Sequence, residues 1–220
     1  MKLQFSVLIL LFVCISAVNA QFISYGTIEP IDESYTDQSF SEFISGVKTA
    51  IINKDAEYIY GMLDDSIFFS FGDENPGKKS FRTAWKMDNP GTEFWEAFSG
   101  TLNLGIVKCS GDCDYNDFKF PYYQASGLLK DIDDVFSVLI IISPNANVYS
   151  SPKENSQVLT TLKYKAISFL DHKDGWFTIS MNKNKTAYIK EADARRYVGL
   201  RGGFKKKNNE WKLVCFVEGD

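Results

Sequence analysis

The closing segment, Gly199 to Asp220, constrains this chain more than any other part. Leu200 to Lys206 and Trp211 to Val217 read as two strands around Lys207-Asn208-Asn209-Glu210, a run of turn-forming residues. In the second strand Trp211, Leu213, Cys215 and Val217 alternate on one side, with Val214 and Phe216 on the other. A lone hairpin is marginal in water, and this one carries apolar side chains on both faces. It must join a sheet that another part of the chain supplies.

The residues before 137 are the first place to look. Phe40, Phe43, Ile44, Val47 and Ile51 recur at helical spacing, which predicts a helix over Thr36 to Asn53. Asp55 to Leu63 repeats the pattern, Asp64-Asp65 breaks it, and Ser66 to Phe71 reads as a strand. Lys78 to Met87 and Thr92 to Leu102 are helical pieces, followed by strands over Ile106–Cys109, Phe118–Ala125 and Val135–Ile142. Residues 21–34, with Pro30, form an extended leading segment. The aromatics of Phe94 to Phe98 and Tyr122-Tyr123 are assigned to packing rather than to a carbohydrate platform. Paired acids such as Asp64-Asp65 and Asp133-Asp134 are assigned to caps and solvated turns rather than to glycosidase chemistry. This region has more helices than strands to cover them, so the closing hairpin is expected to complete its sheet. The expected fold class is therefore α+β: a domain of 21–136 plus 199–220, with helices first and then a curved antiparallel sheet. Residues 137–198 interrupt it. That order of elements resembles the cone-shaped NTF2-like (cystatin-like) architecture. The resemblance implies a pocket, commonly built around a His-Asp pair, but the one histidine, His172, lies outside this region.

Residues 137–198 carry short strands with no helical period. Asn147-Val148-Tyr149-Ser150-Ser151-Pro152 leads to Gln157-Val158-Leu159-Thr160-Thr161-Leu162, then to Asp174-Gly175-Trp176-Phe177-Thr178-Ile179 and Lys185-Thr186-Ala187-Tyr188-Ile189. The blocks resemble, in order and spacing, the bacterial SH3 family (SH3b, SH3 type 3). That resemblance implies an SH3-like β-barrel inserted before the last hairpin, and recognition of cell-wall peptides, muropeptides or another envelope protein. Tyr149 stands where the family often has arginine, and Ala187 where it has glycine before the last aromatic. Tyr149, Tyr164, Trp176 and Tyr188 are the candidate groove residues, with Trp176 and Tyr188 open to a core reading as well.

Residues 1–20 combine Lys2, a short apolar run from Leu3 to Ile15, and small residues at Val18 and Ala20. These are the features of a secretory signal peptide, so export to the periplasm or the extracellular space is expected, with no further segment apolar enough to span a membrane. Cys109 and Cys113 flank Ser110-Gly111-Asp112 and, in an oxidising compartment, could close a small disulfide ring. Free thiols are the alternative, and Cys215 reads as a buried inert thiol.

The formal charge of −4 and pI near 5.2 argue against nucleic acid as a partner. One histidine excludes any two-histidine metal site and leaves a His-based triad improbable. No metal, cofactor or catalytic residue is assigned. The expected function is a non-catalytic, exported envelope protein whose SH3b-type unit binds peptidoglycan, a wall peptide or an envelope protein. A small-ligand pocket protein of NTF2-like type is the alternative, with a carboxylate-based wall hydrolase as a more distant one. Mass spectrometry of the exported protein is expected to find Gln21 at the N-terminus and a mass two hydrogens light from one disulfide. An intact Met1, or alkylation of Cys109, Cys113 and Cys215 without reduction, contradicts the expectation.

Overall fold

The leading segment does not stay with the helices. The computed structural model describes residues 22–72, 77–110, 115–125, 132–181 and 185–219. Strand β1 (Ser24–Thr27) crosses to pair antiparallel with β8 (Lys165–Lys173), although residues 21–34 were expected to belong to the helical part. Its follower Ile28 is buried in a cluster with Val107, Tyr122, Tyr123, Val138, Ile140 and Ala166, which come from both halves of the chain. The two halves therefore share apolar packing as well as sequence connections. Tyr122 donates from its hydroxyl to the Ile28 carbonyl, 3.2 Å away, inside that shared core.

Helix α1 (Gln38–Asn53) starts where Asp37 accepts from the Phe40 amide and ends at Lys54, which turns into the left-handed region. Its apolar stripe buries Phe40, Ile44, Val47, Ala50 and Ile51. Helix α2 (Ala56–Met62) is capped by Asp55 in the same way and runs straight into strand β2 (Leu63–Phe68). Asp64-Asp65, expected to terminate a helix in a solvated turn, thus lie within a strand. Helices α3 (Lys78–Ala84) and α4 (Glu93–Leu102) follow, then short strands β3 (Val107–Lys108) and β4 (Phe118–Phe120).

The closing hairpin, β12 (Arg201–Lys207) and β13 (Glu210–Val217), joins these strands. The sheet order is β2-β13-β12-β4-β3, so the last strands of the chain stand in the middle of a five-stranded sheet. The antiparallel expectation needs one correction: β13 runs parallel to β2, because α1, α2 and β2 deliver that edge from the opposite direction to a hairpin. Phe118, Phe120, Phe204, Leu213 and Phe216 form one core with the helices, and Phe40 stacks on Phe118 with ring centroids 3.8 Å apart.

The two faces of β13 also differ from simple alternation. Gly203 pairs with Cys215 and Phe204 with Leu213, which leaves Val214 as an extra residue. This β-bulge shifts the phase by one. Trp211, Leu213 and Phe216 consequently pack with the helices, while Cys215 and Val217 turn to the other face.

The remaining strands are β5 (Val138–Ile141), β6 (Ala146–Tyr149), β7 (Val158–Leu162), β8, β9 (Trp176–Met181), β10 (Lys185–Lys190) and β11 (Ala194–Arg196). They run in the order β11-β5-β8-β9-β10-β6-β7, with β1 attached to β8. Among the described residues this path has two ends, so the expected closed barrel is not formed. Strand β8 serves two stretches of the sheet: Lys165 to Ser168 pair with β1 and β5, and Phe169 to Lys173 pair with β9, with an irregularity between Phe169 and Asp171. The architecture is mixed α+β with two sheets.

Truncation after Val198 removes the two central strands of the five-stranded sheet. Trp211, Phe204, Leu213 and Phe216 each contribute roughly 1.5–3 kcal/mol by burial, which together rivals the stability of a whole domain. The truncated protein is expected to lose its cooperative thermal transition by circular dichroism.

Candidate functional site

The helices cover one face of the five-stranded sheet, and the other face holds a cleft of about 870 Å³. This lies within the range of about 300–1,000 Å³ usual for small-molecule sites. Strand periodicity decides who lines it. On β12, Phe204 points into the core, so Arg201, Gly203, Lys205 and Lys207 fall on the opposite face. On β4 the same alternation buries Phe118 and Phe120 and turns Lys119 to the cleft.

The register then sets one row across four strands. Lys119 pairs with Gly203, Gly203 with Cys215, and Cys215 with Phe68. At strand spacings of about 4.8 Å the row spans roughly 14 Å, with a cation at one end, an aromatic ring at the other, and two small residues between. Phe71 packs edge-on to Phe68, with centroids 5.0 Å apart, and the Arg201 guanidinium lies 5.9 Å from the Phe71 ring centre. Tyr115 completes an exposed aromatic rim.

Gly203 is required here by close approach. A Cβ at this position would come within 1.9 Å of Asn116 Oδ1, the atom that lies 3.5 Å from Cys215 Sγ. Burial pushes the Cys215 thiol up to about 11, although the nearby charges of Arg201 and Lys119 pull the other way. The thiol is therefore protonated and a poor nucleophile. At the far end of the cleft Asp64 pairs with Lys207 at 2.7 Å and accepts from the Ser66 amide and hydroxyl at 3.0 and 2.6 Å. Burial alone would raise the Asp64 carboxyl. The bonds from Lys207 and Ser66 outweigh it and hold the group below the ordinary carboxylate value. Asp64 is thus fully ionised near neutrality and has no proton to give.

The aromatic residues singled out in the sequence lie elsewhere. Tyr149 is only 6% exposed, with Trp176 packed edge-on at 5.3 Å and Lys190 5.8 Å from its ring centre. Tyr188 pairs with Tyr149 across β10 and β6, and both it and Trp176 are half-buried. The structure brings these three together at one end of the second sheet, beside the Lys190–Glu154 ion pair at 2.7 Å. Tyr149, expected near a groove, is thus mostly covered by its neighbours. Tyr164 is not part of the group: it sits at the other end of β7, in a left-handed conformation that leads into β8, with the Lys163 ammonium over its ring. His172, expected in a solvated loop, lies in β8 with its ring 4.4 Å from Phe177 and Nε2 3.3 Å from Glu191. Cys109 is disulfide-bonded, whereas Cys113 lies outside the described residues, as do residues 1–21. Cys215 is a free thiol.

Comparison with known proteins gives no match to a family model, to a curated protein or to a solved structure.

Sequence reasoning missed the cleft because its cations look like an ordinary solvated run, Lys205-Lys206-Lys207, in a hairpin. The available signal was the alternation of Arg201, Gly203, Lys205 and Lys207 opposite Phe204. Replacing Asp64 with Asn tests the electrostatic account. Because the folded-state pKa is depressed, the wild-type advantage is full above the ordinary value of 3.8 and is lost as pH falls through the folded value. A deficit of about 1–3 kcal/mol for Asp64→Asn by urea denaturation at pH 7, fading in acid, is expected.

Proposed function

We propose that this chain is a non-catalytic binding protein, and that its principal ligand is a small molecule held on the open face of the five-stranded sheet. The observation that carries the reading is a cleft of about 870 Å³ lined by Lys119, Asn116 and Cys215 and rimmed by the exposed rings of Phe68, Phe71 and Tyr115. Sites of this kind combine apolar walls with a few placed polar groups. The protonation states argue against chemistry there: the Cys215 thiol is held neutral, and the Asp64 carboxylate is committed to Lys207 and Ser66. The protein is proposed to act outside the cytoplasm. Residues 1–20 support this through their signal-peptide pattern, and the oxidised Cys109 fits an oxidising compartment. No helix among the described residues is long and apolar enough to cross a membrane.

A second reading places a wall-peptide site on the SH3b-like unit of 137–198. It is favoured by the convergence of Tyr149, Trp176 and Tyr188, and by the one-turn helix Glu191–Asp193 that follows β10 as in the SH3b pattern.

Amide chemical-shift mapping separates the readings. A small-molecule extract of the host's envelope fraction is expected to shift residues Arg201–Lys207 and Val214–Val217. Shifts confined to Tyr149, Trp176 and Tyr188 on adding soluble muropeptides would favour the second reading, and no shifts on β12 or β13 would remove the first.

A further inference from the structure

Single exposed rings are ordinary on a folded surface, but three meet at this cleft: Phe68 is 37% exposed, Phe71 50% and Tyr115 82%. Exposure clustered in this way marks a binding surface. The rings do not form an unbroken apolar patch. The Arg201 guanidinium lies over Phe71, 5.9 Å from its ring centre. Asn116, next in the chain to Tyr115, sits over Gly203 in the middle of the floor, where the glycine leaves room for it. Strand alternation puts Asp64 and Ser66 on the same face of β2 as Phe68, and Lys207 reaches Asp64 from β12. A hydrogen-bonding side chain thus accompanies each ring, in space or along the chain. Polar and aromatic groups are interleaved across the cleft rather than gathered at separate ends.

We propose that the cleft binds a short acidic oligosaccharide, a chain of sugar rings carrying carboxylates. The assignment rests on the small-molecule reading above and adds the class of ligand. Every sugar ring has both of the chemistries that the cleft interleaves. Its C–H face packs on an aromatic face, whose quadrupole is negative, and its hydroxyl edge pairs with amide, carboxylate, guanidinium and ammonium groups. A hydrocarbon ligand would cover Asn116, Asp64 and the cations without replacing their bonds to water, which is unfavourable. A small inorganic anion would leave Phe68, Phe71 and Tyr115 unused. Single-stranded nucleic acid also stacks on rings, but it needs a basic groove that tracks its backbone, and here Asp64 interrupts the cations. The charge of the lining selects an acidic sugar over a neutral one. Lys119, Arg201, Lys205 and Lys207 stand against that one carboxylate, in a protein whose formal charge is −4. The Lys207–Asp64 pair cancels within itself, which leaves cations in excess among the described lining residues.

The test is isothermal titration calorimetry of the purified full chain with tetragalacturonate and a hyaluronan hexasaccharide, each beside its carboxyl methyl ester. Saturable binding of at least one acidic oligosaccharide is expected, about tenfold tighter than its ester, since the ester keeps every ring and loses only the charge. Tyr115→Ala and Phe71→Ala, at exposed side chains, are expected to weaken acid and ester alike by about tenfold. Lys119→Met is expected to weaken the acid more than the ester, and unchanged melting temperatures keep the variants interpretable. Equal binding of acid and ester, lost in Tyr115→Ala, overturns the acidic class while leaving a sugar cleft in place. Equally tight binding of oligothymidylate or polyglutamate, or indifference of the acid to both ring variants, overturns the carbohydrate and leaves only a basic surface. Capture of the fatty acid 11-(dansylamino)undecanoic acid with no oligosaccharide bound overturns the sugar class but not the small-molecule cleft. Binding of none of these probes overturns the assignment, and the small-molecule reading falls with it if the envelope extract also leaves β12 and β13 unshifted.

Discussion

The structure depends on the pairing of β13 with β2 and of β12 with β4. Helices α1, α2 and α4 each present an apolar stripe, and none has a sheet to bury it against until the closing hairpin is in place. Phe40 makes the dependence concrete: it stacks on Phe118 and meets Phe204 and Trp211 edge-on, three rings supplied by β4 and the hairpin. Gly202 tightens the arrangement, since a Cβ there would come within 2.3 Å of the Phe120 ring. The sheet and its helical layer are thus one packing unit drawn from opposite ends of the chain.

The same hairpin creates the site. One residue, Val214, is extra relative to β12, and the phase shift it imposes turns Phe216 inward and Cys215 outward. Without that bulge the strand would present Leu213, Cys215 and Val217 together on one face, and the row from Lys119 to Phe68 would not exist. A local irregularity therefore settles which side chains touch the helices and which line the cleft. The glycine at 203 acts alongside it by admitting Asn116 where any other residue would stand.

Helices α1, α2 and α4 were legible in the sequence, because three- and four-residue spacing of Phe40, Ile44, Val47 and Ile51 is a strong local signal. What the sequence hid was non-local. The leading strand β1 carries no pattern that names β8 as its partner, and Asp64-Asp65 reads as a breaker unless Lys207 and Ser66 are known to satisfy Asp64. The bulge at Val214 is invisible for the same reason: strict alternation is the default for an apolar strand, and only the partner's register shows an extra residue. Tyr149 illustrates the converse: its place in the SH3b-like pattern suggested a groove, and nothing in the sequence announced that Trp176 packs edge-on to it and leaves it 6% exposed.

The hydrogen bond from Trp211 Nε1 to Ser39 Oγ, 3.0 Å long, joins residues 172 positions apart. In the order of synthesis, the first helix waits for β13, the last strand described. Local helix formation is fast, but contacts of such separation close slowly and late, and an amphipathic helix without its sheet exposes apolar surface meanwhile. A nascent chain of this kind therefore keeps its helical layer uncovered until β13 has emerged. That is a hazard for a protein maturing where aggregation competes, and an advantage for one that must be threaded through a narrow channel before it folds.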